Sequence, residues 1–160
     1  MERREEVQSE ACFRMARIIE VLYKPGARIS LRTDPGEHRV HVRANDDGLI
    51  SLFSILAAVG IGPPEGPESV TFEPGPHITT PGAGMVLRVE RKEGPSRAMF
   101  SGEGPGVANP TLTLGGDAIL KLAISILEFV EKSVPGSSME VSRKNHFSPD
   151  SMFDLTIERE

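Results

Sequence analysis

Apolar positions along the chain switch between two periods, and the switches mark out the elements. Val7, Ala11, Met15, Ile18, Ile19 and Leu22 recur at three- and four-residue spacing, with Arg3, Glu6, Glu10, Arg14 and Arg17 between them. That spacing gives one apolar stripe on a helix, predicted over residues 1–24 and stopped by Pro25-Gly26. The period then falls to two. Ile29 and Leu31 alternate with Ser30 and Arg32, and Val40 and Val42 alternate with Arg39, His41 and Arg43. Asp34-Pro35-Gly36 between them is turn chemistry, so the two runs read as a β-hairpin. Asn45-Asp46-Asp47-Gly48 offers short acceptors to the free N–H groups of a helix start. Leu49, Leu52, Phe53 and Leu56 are the buried stripe of that helix, and Gly60 with Gly62-Pro63-Pro64 ends it. Val70 and Phe72 begin a third strand, Pro74 to Gly84 reads as a Pro/Gly-rich loop, and Met85 to Arg91 as a fourth strand.

After Gly94-Pro95 the pattern begins again. A weakly alternating strand at 97–101 is followed by a strand through Leu112 and Leu114. Gly115-Gly116-Asp117 then opens a helix with Ile119, Leu122, Ala123 and Ile126 as its stripe. Leu120, Ile124 and Leu127 add a second stripe, which predicts a helix buried on most sides. Beyond Pro135-Gly136, Met139 and Val141 form one strand, and Phe153, Leu155 and Ile157 the last. The halves superpose at an offset of about 70 residues. Asp47 falls on Asp117, Leu52 on Leu122, Leu56 on Ile126, His77 on His146, Leu87 on Leu155 and Arg91 on Arg159. The expected fold is α+β in a single body. The N-terminal helix is followed by two ββαββ repeats, 26–93 and 95–160, which form a mostly antiparallel sheet with helices on one face. A unit of about 65 residues is marginal alone. The two are therefore expected to join, edge to edge or helix layer to helix layer.

Composition narrows the class. With 38% hydrophobic residues the chain can bury a core, and its 16 glycines and 13 prolines lack any collagen-like period. The single cysteine, Cys12, excludes a disulfide-stapled scaffold. No apolar run is long enough to span a bilayer, and the polar start does not read as a signal peptide, so a cytoplasmic protein without membrane contact is expected. Lys and Arg number 18 against 23 Asp and Glu, a net charge of −5. The arginines have no aromatics interleaved among them, so nucleic acid is not an expected partner.

Motifs that carry chemistry are scarce. There is no CxxC, HExxH or GxSxG, and no cofactor, metal or enzymatic activity is expected. His38 and His41, at an odd spacing, fall on opposite faces of a strand. Gly102-Glu103-Gly104-Pro105-Gly106 does not lead into a helix. Gly115-Gly116 does, but Asp117 would repel a phosphate there, so a helix cap is the better reading. The outward strand positions carry Arg32, Arg39, His41, Arg43, Glu73, Arg88 and Glu90 in the first half, and Thr111, Thr113, Glu140, Asp154, Thr156 and Glu158 in the second. Such a face, basic at one end and acidic at the other, reads either as cross-strand ion pairs or as a protein-binding surface. His77 and His146 read as polar loop histidines or as partner contacts.

One longer pattern carries a resemblance. Thr113-Leu114-Gly115-Gly116-Asp117-Ala118-Ile119-Leu120-Lys121-Leu122, the loop His146 to Asp150, and Asp154-Leu155-Thr156-Ile157-Glu158 follow one another in the second half; Ala44 to Leu52 and Leu87 to Glu90 echo them in the first. This succession resembles small immunity proteins of bacterial polymorphic toxin systems. The resemblance implies a non-enzymatic protein that binds and neutralises a cognate toxin. Many such toxins are basic nucleases, which an acidic partner would meet by charge-steered association. The expected contact residues are Glu73, Glu90, Glu140, Asp154 and Glu158, with His77 and His146. The second reading is a small-ligand sensor or accessory domain, with its site between the two repeats.

Overall fold

The computed structural model describes residues 19–34, 36–80, 85–101, 109–143 and 146–160. Most of the expected N-terminal helix, Cys12 and the glycine-rich stretch 102–106 lie outside the described residues; residues 19–22 are helical. The first hairpin forms as expected: β1 (Ile29–Asp34) runs antiparallel to β2 (Arg39–Ala44). Ile29, Leu31, Val40, Val42 and Ala44 point inward and Ser30, Arg32 and Arg43 outward, the alternation of a pleated strand.

The helix α1 (Asp46–Ile61) starts at Asn45, whose Oδ1 accepts the Gly48 N–H at 2.8 Å. The same oxygen accepts the Arg28 N–H at 2.9 Å, and Asn45 Nδ2 donates to the Gly26 carbonyl at 2.8 Å. One side chain thus caps the helix and fixes the chain entering β1. The helix closes on Gly62, whose φ of 70° lies in the left-handed region that suits glycine. There follow β3 (Ser69–Phe72), β4 (Ile78–Thr79), β5 (Leu87–Arg91), β6 (Arg97–Ser101), β7 (Asn109–Leu114), α2 (Gly116–Lys132), β8 (Ser138–Val141) and β9 (Asp154–Arg159). The strand β4 lies inside the stretch expected to be loop.

The pairing of these strands departs from expectation. Two mixed sheets form, in the orders β4-β1-β2-β9-β8 and β3-β5-β7-β6. The four hairpin-like pairs are antiparallel, but β1–β4, β2–β9 and β5–β7 are parallel. Neither half builds its own sheet. The β1–β2 pair of the first half joins β8–β9 of the second, and β3–β5 joins β6–β7. Read outward, β1-β2-β9-β8 and β6-β7-β5-β3 are the same succession with the halves exchanged. Leu49, Leu52, Ile55, Leu56 and Val59 of α1 are all buried and form one stripe along the helix.

The core lies where these layers converge. Leu31, Val42, Leu155 and Ile157 from one sheet, Phe72, Leu87, Val89 and Leu112 from the other, and Leu52, Leu56, Leu122 and Ile126 from the helices surround a void of only about 20 Å³. Where the end of α1 meets the start of α2 the backbones approach closely. A Cβ on Gly60 would lie 2.8 Å from Leu120 Cγ, and one on Gly116 would lie 2.8 Å from the Gly60 carbonyl oxygen. The second stripe of α2 is not enclosed as expected: Leu120 and Leu127 are half-buried, and Ile124 is 52% exposed.

Two arginines tie the helix ends together. Arg91 Nε, at the end of β5, donates to the Gly60 carbonyl at 3.3 Å and pairs with Glu93, whose Oε1 accepts the Gly116 N–H. Arg159, at the end of β9, donates to the Ser133 carbonyl and makes two bonds, 2.8 and 3.0 Å, to the Asp46 carboxylate. Each arginine meets the carbonyl end of one helix and a carboxylate at the N–H end of the other, as the helix dipoles favour. No helix among the described residues is long and apolar enough to cross a membrane.

Candidate functional site

A cavity of about 530 Å³ opens beside β3, between the helical residues 19–22 and the 73–78 connection to β4. The Tyr23 ring stacks on His77, with centroids 5.1 Å apart and planes 9° from parallel. His77 is anchored to the start of β1 from two atoms. Its carbonyl accepts the Ile29 N–H at 2.8 Å, and its Nδ1 lies 3.0 Å from the Ala27 carbonyl. A carbonyl only accepts, so Nδ1 carries a proton and donates it. Burial, and then the charge of Glu73, push the Tyr23 phenol up from 10.0 to about 12, so it remains a neutral donor. Among the described residues, Glu20 and Glu73 stand in the wall and no lysine or arginine does.

A smaller cavity of about 160 Å³ lies beside β8, walled by Ala118, Leu122, Met139, Val141 and Phe147, with His146 and Glu140 at its polar side. The two histidines that superpose in sequence therefore stand in separate cavities, each beside the strand that follows a helix. Their settings differ, because His146 Nδ1 accepts the Ser142 N–H at 3.1 Å and carries no described ring stack. Ser148 donates to Asp150. Among the described residues, His146 is turned to Ser142 and no hydrogen bond joins it to Ser148 or Asp150.

The remaining expected contact residues are scattered. Glu90 lies on the outer face of the second sheet, while Asp154 and Glu158 lie on that of the first with Glu140. The parallel β2–β9 seam sets Arg39 beside Asp154 and Arg43 beside Glu158. Glu140 pairs with Arg39 at 3.2 Å, Glu158 with Arg43 at 3.9 Å and Asp154 with Arg143 at 3.2 Å. Burial pushes the Asp154 carboxyl up, but the backbone N–H and guanidinium of Arg143 outweigh it and the net direction is down. The basic and acidic ends seen in sequence are thus laid against each other, and the solvent-facing pairs Glu140–Arg39 and Glu158–Arg43 contribute about 0–1 kcal/mol each.

Glu73 and His77 are the expected residues that the fold brings together. Tyr23 and Glu20 complete that cleft and were not singled out in the sequence; the one available signal was that Tyr23 is the only tyrosine in the chain. A second group, at the tip of the first hairpin, also escaped sequence reading. Asp34, Glu37 and His41 are the group among the described residues whose ligand atoms come close enough to share a cation. Burial, then Arg32 and Arg39, lower the His41 pKa. No family model matches the chain, and no curated protein or solved structure matches it either.

Proposed function

We propose that this is a non-enzymatic binding protein, and that the Tyr23–His77 cleft receives a cationic side chain of a basic protein partner. The observation that carries the reading is the cleft wall. Its described residues combine a stacked aromatic platform with two carboxylates and include no lysine or arginine. A guanidinium laid on the Tyr23 ring gains about 0.5–2 kcal/mol from the ring quadrupole, depending on how dry the site is. Pairing the same group with Glu73 adds a charge-assisted hydrogen bond. The acids of the first sheet are poorer candidates, because Arg39, Arg43 and Arg143 already engage them. Joined to the resemblance at the helix starts, this supports a cytoplasmic immunity protein that neutralises a basic cognate toxin. In the same reading the chain is an N-terminal helix and two copies of a ββαββ unit with exchanged hairpins, supported by the matching strand orders of the two sheets.

The test is co-expression with the neighbouring open reading frame. Rescue of growth and co-purification are expected, with Tyr23→Ala and Glu73→Gln each weakening the complex about tenfold or more. Absence of a complex, or a complex indifferent to both substitutions, refutes the assignment. The cavity volume also suits a small molecule, although the cleft lies within the first half and not between the halves as that reading expected. Thermal stabilisation by a small cation, with no protein partner, would favour the ligand-sensor reading instead.

A further inference from the structure

The tip of the β1–β2 hairpin gathers three potential ligands that the cleft does not use. One ligand atom each from Asp34, Glu37 and His41 lies within 4.8 Å of the others. The turn explains how residues this far apart in sequence converge. Asp34 ends β1, and its Oδ1 accepts the Glu37 N–H at 3.2 Å. His38, at φ 52°, turns the chain back, and its carbonyl accepts the Asp154 N–H, which ties the tip to β9. In the hairpin register Arg32 stands opposite His41 and Asp34 opposite Arg39, so all four share the outward face, with Asp34 diagonal to His41.

A second observation concerns the imidazole itself. His41 Nε2 is buried and has no hydrogen-bond partner, the one such side-chain atom among the described residues. A buried polar atom left unpaired costs about 1–3 kcal/mol. A cation held between the two carboxylates would lie within reach of an imidazole nitrogen of His41, whose ring has this unpaired polar atom to satisfy. We propose that Asp34, Glu37 and His41 form a binding site for a divalent cation of the zinc class. One imidazole nitrogen with two carboxylate oxygens suits zinc, whereas magnesium and calcium favour oxygen-only sets. Three protein ligands leave a further position for water or for a group from a partner. Glu37 is exposed, so its carboxylate is free to swing onto the ion. Arg32 opposes binding as the cross-strand neighbour of His41, while Arg39 is turned to Glu140 and Thr156.

The experiment is calorimetric titration of the untagged, chelator-treated protein with Zn²⁺, with Co²⁺ absorption as a second readout. One equivalent is expected to bind. Affinity should fall about tenfold or more in His41→Ala and in Glu37→Gln, and rise in Arg32→Ala. Glu37 lies in an exposed turn, so its substitution tests the site even if His41→Ala unfolds the sheet. A folded wild type that takes up no zinc overturns the proposal. So does uptake that Glu37→Gln leaves unchanged. Neither outcome bears on the Tyr23–His77 cleft, which shares no residue with this site.

Discussion

Alanine at Gly60 tests the docking of the two halves, because the sign of its effect depends on that contact. In an isolated helix the change stabilises, by up to about 1 kcal/mol, since glycine costs backbone entropy. Here the new methyl would lie 2.8 Å from Leu120 Cγ, 2.9 Å from Leu120 Cδ2 and 3.2 Å from the Gly116 carbonyl oxygen. Cγ is the branch point of the leucine and not a free end, and the carbonyl is backbone, so neither yields cheaply. Forcing a methyl into packed surroundings costs about 1–3 kcal/mol. Set against the propensity gain, Gly60→Ala should destabilise by about 1–2 kcal/mol. At this chain length that is a fall in Tm of about 2–8 °C. Urea unfolding followed by circular dichroism is the assay, with the slope unchanged. Shortening the clashing side chain should recover part of the loss, so Gly60→Ala combined with Leu120→Ala should show a coupling of about 1 kcal/mol. A Gly60→Ala protein more stable than wild type, or the absence of coupling, would refute the contact between the end of α1 and the start of α2.

Two further expectations follow from single residues. Asn45→Ala removes the cap of α1 and also the bonds to Arg28 N–H and Gly26 C=O, so a loss of about 2 kcal/mol in urea unfolding is expected, and a loss below about 0.5 would refute the shared anchoring. Tyr23 is the only tyrosine and the chain has no tryptophan, so alkaline absorbance reports one phenol, expected to ionise near 12 in the folded protein and near 10.0 in denaturant. A raised pKa means that the folded state holds the proton longer, so this contribution to stability is full below pH 10 and is lost as pH rises from 10 towards 12. A folded-state midpoint at the ordinary value would contradict the burial of Tyr23, and Glu73→Gln should lower the midpoint.

Local features were legible in the sequence because their causes are local. Asn45 announced a helix start through its short acceptor, Gly62 announced the stop, and the alternation around Leu31 and Val42 announced strands with one buried face. Which strand lies beside which is a different question. Val40 and Leu155 are neighbours across the β2–β9 seam, but nothing in either run distinguishes that pairing from one within a half. The strand β4 contributes only Ile78 and Thr79 to its sheet, too few residues to show a period of two. At the cleft, Glu73 and His77 stood out by residue type, whereas the role of Tyr23 depends on a stacking partner far along the chain. His41 was read beside His38, its neighbour in sequence. The turn instead delivers it to Asp34 and Glu37.

The exchange of hairpins also sets an order of events during synthesis. The second sheet needs nothing beyond β7, so all its strands have been made by Leu114. The first sheet is complete only after β9, Asp154–Arg159. Until that strand has been made, β2 keeps an unpaired edge, the kind of surface on which nascent chains stick to one another. Arg39 and Arg43 stand along that edge strand, and repulsion between the arginines of two copies discourages them from pairing there while β9 is awaited. A truncation before Asp154 would remove the strand that closes this edge of β2, and the product would be more prone to aggregate than the intact protein.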